Sequence, residues 1–121
     1  MAGEIRSYRD LEVWQRAFEL SREVYQVTKH FPQDERFGLT SQIRRSAVSV
    51  PSNIAEGYGR GSRIEYLRFL KISRGSLCEL ETQALLADSE GFLRDGHRVF
   101  DLAKSTGQML SALIARIDQK R

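Results

Sequence analysis

The sequence predicts an all-α fold, an antiparallel up-down-up-down four-helix bundle built as a single domain over residues 1–121. Three observations lead there. Apolar residues recur at spacings of three and four in four segments of roughly twenty residues, the period of a helix with one buried face. The segments are joined by short stretches marked by glycine or proline, and short connections favour antiparallel neighbours. No run alternates apolar with polar residues as a half-buried strand would, and 121 residues suit one hydrophobic core.

In the first helix Leu11, Trp14, Phe18, Ser21, Tyr25 and Thr28 are expected to line the inner face. Phe31-Pro32 ends it, because the residue before a proline is pushed out of the helical region, and Gln33-Asp34 turns the chain. Leu39, Ile43, Ala47, Val50 and Ile54 form the stripe of the second helix. Pro51 is expected to kink it, having no N–H for the carbonyl four residues earlier and crowding that carbonyl with its ring. Gly57-Tyr58-Gly59-Arg60-Gly61 reads as a tight connection, and Ser62 followed by Glu65 as a capping box that opens the third helix. That helix runs to about Ser89, where Glu90-Gly91 closes it. Arg94-Asp95-Gly96 leads into the fourth, whose inner face carries Val99, Ala103, Thr106, Leu110, Leu113 and Ile117.

The third helix carries more apolar surface than one core can bury. At about 100° per residue, Ile64, Tyr66, Leu67, Phe69, Leu70 and Ile72 point around nearly the whole circumference. Ile64, Tyr66, Phe69 and Leu70 are therefore expected to form an oligomer interface. Gly75 and Gly107 sit inside helices, where each glycine costs about 1 kcal/mol against alanine, and close helix approach is the simplest offset.

Composition narrows the class. No apolar run reaches the ~20 residues that span a bilayer, so no membrane partner is expected. The start, Met1 to Asp10, lacks the apolar centre of a signal peptide, and Gly3 is misplaced for myristoylation, which points to the cytoplasm. Cys78 is the only cysteine, excluding an intrachain disulfide, and beside Leu77 it is expected to be a small buried side chain.

The net charge of +3 conceals a segregation. Residues 36 to 74 hold eight basic residues against Glu56 and Glu65, a balance of +6; residues 75 to 95 hold five acidic residues against Arg94, a balance of −4. Fifteen of the nineteen basic residues are arginine, whose planar fork suits bidentate contact with phosphate or carboxylate. Phosphate binding and Arg–carboxylate pairing, within or between subunits, both fit that composition.

Catalytic and metal chemistry find little support. His30, His97 and Cys78 form no Cys-x-x-Cys or His-x-x-x-His pair, and Val27 and Arg94 stand where a di-iron bundle needs glutamate, so neither metal nor cofactor is expected. No nucleophile elbow joins a serine to a histidine and a carboxylate. Gly57-x-Gly59-x-Gly61 has neither the spacing nor the strand of a nucleotide loop, although the free amides opening the third helix could meet a phosphate oxygen. Gln42, Arg45, Ser49, Asn53 and Glu56 fall on one helical side and make a polar stripe. Pairing of Arg44 or Arg45 with Glu56 or Glu79 would complete a structural network, and a ligand site built from the same groups is the alternative.

The run Gln42-Ile-Arg-Arg-Ser-Ala-Val-Ser-Val-Pro-Ser-Asn-Ile-Ala-Glu-Gly57, read with Phe31-Pro32, Tyr66, Phe69-Leu70, Gly75-Ser76-Leu77 and Glu79, resembles the family of proteins encoded in intervening sequences of large-subunit rRNA genes. Tyr66 departs from the phenylalanine usual there. The resemblance covers nearly the whole chain and implies a homopentameric ring of four-helix bundles. Its retroelement-associated branch implies RNA or DNA, and a nucleic-acid-processing protein, as partners. The resulting expectation is a non-enzymatic ring whose nucleic-acid-binding residues are Arg44, Arg45, Arg60, Arg63, Arg68, Lys71 and Arg74, supported by Gln42, Asn53, Glu56 and Glu79. The alternative is a protein-interaction scaffold whose arginines are structural and which binds no nucleic acid.

Overall fold

The computed structural model of the chain describes residues 3–119; Met1, Ala2, Lys120 and Arg121 of the expected 1–121 unit lie outside the described residues. Four helices follow in order: α1, Glu12–Thr28; α2, Leu39–Gly59; α3, Arg63–Ser89; and α4, His97–Asp118. Short 3₁₀ turns at Tyr8–Asp10 and Gln33–Glu35 precede α1 and α2, and no strand occurs among the described residues. α1 packs on α2 and α4, α3 packs on the same two helices, and the α2–α3 contact is the most extensive. Leu20, Val24, Ile43, Val50, Ile54, Leu70, Leu77, Leu80, Val99 and Leu110 fill the space between them.

The α2 stripe lies inside as expected, with Leu39, Ile43, Ala47, Val50 and Ile54 all buried. The α1 stripe is partly displaced: Ser21 and Thr28 are buried as expected, but Val13, Ala17, Leu20 and Val24 complete the inner face, while Phe18 and Tyr25 are exposed. Both stripes have the helical period, so periodicity alone could not choose between them. The smaller aliphatic set faces the neighbouring helices. Trp14 is left at the margin, between Tyr8 at 5.2 Å and Phe18 at 5.1 Å.

α2 continues without interruption through Pro51. The missing proline N–H frees the carbonyl of Ala47, which accepts a 2.8 Å hydrogen bond from the Ser21 hydroxyl of α1. A neighbouring helix thus satisfies the group that proline leaves open. Ser21→Ala should therefore cost about 1–3 kcal/mol, the cost of a buried acceptor left unpaired, a loss that urea unfolding measures.

The connection after α2 is shorter than its glycines suggest. Gly57 and Gly59 are still helical, leaving Arg60–Ser62 as the turn, with Gly61 at φ +72°. Ser62 caps α3 by accepting from the Glu65 amide at 3.3 Å. Gly57 is buried, and a Cβ there would stand 2.7 Å from the Phe69 Cβ. Gly107 is similarly close to Leu77, at 3.3 Å, whereas nothing lies within 4 Å of the position a Cβ would take on Gly75. The close-approach expectation therefore holds for Gly107 and fails for Gly75. Cys78 is exposed rather than buried, on the outer face of α3.

Opposite the α2–α3 seam, Arg98 of α4 reaches Glu19 at 2.7 Å and Glu23 at 3.4 Å, and Arg16 donates to Ser105 Oγ at 2.6 Å. These bonds tie α1 to α4.

Candidate functional site

The seam between α2 and α3 is polar, and its partners differ from the expected ones. Ser46 Oγ donates to Gln83 Oε1 at 2.6 Å, the Ser49 and Ser76 hydroxyls share a 2.8 Å bond, and Ser73 Oγ donates to the Val50 carbonyl at 2.8 Å. Asn53 Nδ2 donates to the Ser49 carbonyl at 2.8 Å and its hydroxyl at 2.9 Å. Short hydroxyls and amides hold the helices, not arginines and carboxylates. Arg44 instead donates through Nε to Thr28 Oγ1 at 2.8 Å, with its guanidinium 4.7 Å from the centroid of the Tyr25 ring. Glu56 pairs with Arg60 at 3.3 Å, about half exposed on both sides, a geometry worth about 0–1 kcal/mol. Arg45 and Glu79 face a common groove of about 430 Å³ with Gln42, Ser46, Ser49 and Gln83, yet form no ion pair among the described residues. The Arg44 and Arg45 pairings with Glu56 or Glu79 are thus not formed, because pairing depends on which faces of two helices meet.

The seven expected nucleic-acid residues do not converge. Arg44 and Arg45 lie near the start of α2, whereas Arg60 lies fifteen positions beyond Arg45, about 22 Å at the helical rise. Arg60 approaches Glu65 at 4.0 Å and Arg68 approaches it at 3.0 Å, and both guanidinium groups lie over the Phe69 ring, at 5.0 and 4.8 Å. Arg63 donates to the Ile117 carbonyl at 3.3 Å, in the last turn of α4, where a cation complements the helix dipole. Lys71 and Arg74 have no ion pair or side-chain hydrogen bond among the described residues.

The expected interface residues also divide. Ile64 is 73% exposed and Tyr66 is half-buried, but Phe69 is buried beneath its two arginines and Leu70 has no accessible surface. Leu70 therefore belongs to the core. Gly57 makes room for Phe69, whose Cβ would stand 2.7 Å from a Cβ at that glycine. Tyr66 packs edge-on to Tyr58 with ring centroids 6.0 Å apart. Burial, and then the neighbouring Tyr58, raise its phenol pKa above the ordinary 10.0. The unfolded chain thus releases this proton first, so the stability contributed below that ordinary value is lost as pH rises through the folded pKa. Tyr66→Phe should flatten the alkaline limb of the stability–pH curve, measured by urea unfolding between pH 8 and 11.

Two outer surfaces were missed by sequence reasoning. The first is an open groove of about 550 Å³ between α1 and the start of α2, lined by Tyr25, Arg36, Phe37, Thr40, Ser41, Arg44, Arg45 and Val48. Phe37 is 87% exposed, with the Arg36 guanidinium 5.2 Å from its ring centroid, and the buried Thr40 hydroxyl has no partner among the described residues. Three arginines line this groove and no carboxylate does. The sequence signal was Phe37 itself, an aromatic outside the Leu39–Ile54 stripe. The second surface, on the outer side of α3, presents Leu85 at 60% and Leu86 at 52% exposure, with Glu81 and Asp88 within about one turn of Leu85.

Among the described residues, no group of His, Cys, Asp and Glu is arranged to hold a metal ion. No helix among them is long and apolar enough to cross a membrane.

These features define an all-α bundle that carries its arginines, with Tyr25 and Phe37, on open outer faces. The chain belongs to the family described as 23S rRNA-intervening sequence protein, whose family model matches residues 9–112. No curated protein gives a significant match to it.

Proposed function

We propose that the chain is a non-enzymatic assembly protein, an up-down-up-down bundle that forms a homo-oligomeric ring and contacts the phosphates of RNA or DNA along the first half of α3. The single observation that carries this reading is the segregation of charge along that helix. Arg63, Arg68, Lys71 and Arg74 precede Glu79, Glu81 and Asp88, and Lys71 and Arg74 are free of carboxylate partners among the described residues. A ring repeats the basic half once per subunit, so a weak patch becomes a multivalent one. Five subunits is the number that the family resemblance supports, and a cytoplasmic nucleic-acid-processing protein is the expected companion.

Fluorescence anisotropy with single- and double-stranded RNA and DNA at two salt concentrations tests the proposal. Affinity should fall steeply with salt and depend little on base sequence, because phosphate contacts release counterions without reading bases. Lys71→Ala/Arg74→Ala should reduce the log–log salt slope on duplex by about 2 for each subunit that touches it. If native protein does not bind at low salt, or the assembled double variant binds equally well, the chain is instead a protein-interaction scaffold.

A further inference from the structure

We infer that the arginine- and aromatic-lined groove between α1 and α2 receives the acidic, leucine-bearing end of α3 from a second copy of the chain. This rests on the oligomeric part of the function proposed above and assigns the two faces that meet.

Each surface has what the other lacks. The groove offers Arg36, Arg44 and Arg45 with no carboxylate in its lining, and an exposed Phe37 beside Tyr25 and Val48. The outer end of α3 offers Glu81 and Asp88, four residues before and three after Leu85, with Leu86 beside them. Burying the guanidinium groups without counter-charges would be costly, and the acidic end supplies those charges together with apolar side chains for the exposed rings. Arginine and aromatic residues are the types that anchor such contacts. A groove-to-groove dimer would instead bring six arginines together, which like-charge repulsion opposes.

Geometry adds a second argument. The Ser46–Gln83 bond, and the groove that Arg45 and Glu79 share, set this part of α2 level with the second half of α3. The basic groove and acidic patch therefore lie at similar heights on different faces of the bundle. A contact between unlike faces is heterologous, and a rotation about an axis running along the helices can close it into a ring with both faces of every subunit occupied. Nucleic acid in the groove would account for the arginines and leave Leu85 and Leu86 unexplained.

The test is a charge swap read by light scattering coupled to size-exclusion chromatography, with circular dichroism to confirm folding. Native protein should give a mass several times that of one chain. Arg36→Glu/Arg45→Glu and Glu81→Lys/Asp88→Lys should each weaken assembly at least tenfold, and all four changes in one chain should restore it. Phe37→Ser and Leu85→Ser, which remove the apolar half of each face, should each lower the mass without unfolding the helices. A native monomer would overturn the oligomeric reading itself. A native oligomer whose mass survives the swaps would leave that reading standing and overturn this assignment of faces, as would swaps that dissociate it without mutual rescue. Loss of nucleic-acid binding in Phe37→Ser at unchanged mass would make the groove a nucleic-acid site instead.

Discussion

Leu70→Ala is expected to cost about 2–5 kcal/mol of folding stability, while Ile64→Ala, six positions earlier on the same helix, should change it by less than about 0.5 kcal/mol. Both side chains are aliphatic and both belong to the apolar band that runs around α3. Leu70 has no accessible surface and meets the core formed by all four helices, so its removal loses transfer free energy and leaves a cavity. Ile64 stands in solvent at the first turn. Urea unfolding of the two variants at equal protein concentration measures the difference. Equal losses would show that the first turn of α3 is as deeply packed as its middle.

Gly57→Val should destabilise the fold by about 1–3 kcal/mol, toward the upper end of that range for an overfilled core. The first added carbon would stand 2.7 Å from the Phe69 Cβ and 3.3 Å from both the Tyr66 ring and its carbonyl. Phe69 Cβ is one bond from the α3 backbone, so no rotamer change relieves the clash and the helices must separate. The alanine variant isolates the competing terms: replacing a helical glycine gains about 1 kcal/mol, which the overlap should outweigh. Gly75→Ala is the matched control. Nothing lies within 4 Å of its Cβ position, so the propensity gain should appear alone, raising stability by up to about 1 kcal/mol. Thermal unfolding should thus give opposite signs for Gly57→Ala and Gly75→Ala. The same sign for both would mean that α2 and α3 do not meet closely at Gly57.

The features of this bundle that are written locally could be read from the chain. The Ser62 cap, the end of α3 at Ser89, the stop at Phe31-Pro32 and the Leu39–Ile54 stripe each depend on residues within about a turn of one another. The family was also legible, because the run from Gln42 to Gly57 is specific as a string.

The candidate sites were legible only in part. Of the apolar band expected around α3, Ile64 and Ile72 are exposed while Phe69 and Leu70 are buried, and Leu85 and Leu86 on α3, with Phe18, Tyr25 and Phe37 elsewhere, add exposed apolar surface that was not expected. Of the polar stripe, Ser49 does join α2 to α3, through Ser76, while the other bonds of the seam come from Ser46 with Gln83 and from Ser73 with a main-chain carbonyl. Charge runs showed that basic and acidic segments exist, without showing that Arg44 would stack on Tyr25 or that Arg60 and Arg68 would cover Phe69.

By itself, the sequence determined four helices, most of their ends, the family and the opposite charges of the two halves of α3, all of which follow from local propensity and composition. Only the tertiary structure decided which of two equally periodic stripes of α1 faces inward, how the carbonyl freed by Pro51 is satisfied, and where the arginines go. Those outcomes depend on surfaces brought together from far apart in the chain: Ser21 meets Ala47, Gly57 admits Phe69, and Tyr25 and Phe37 become walls of one groove only after α2 has packed on α1.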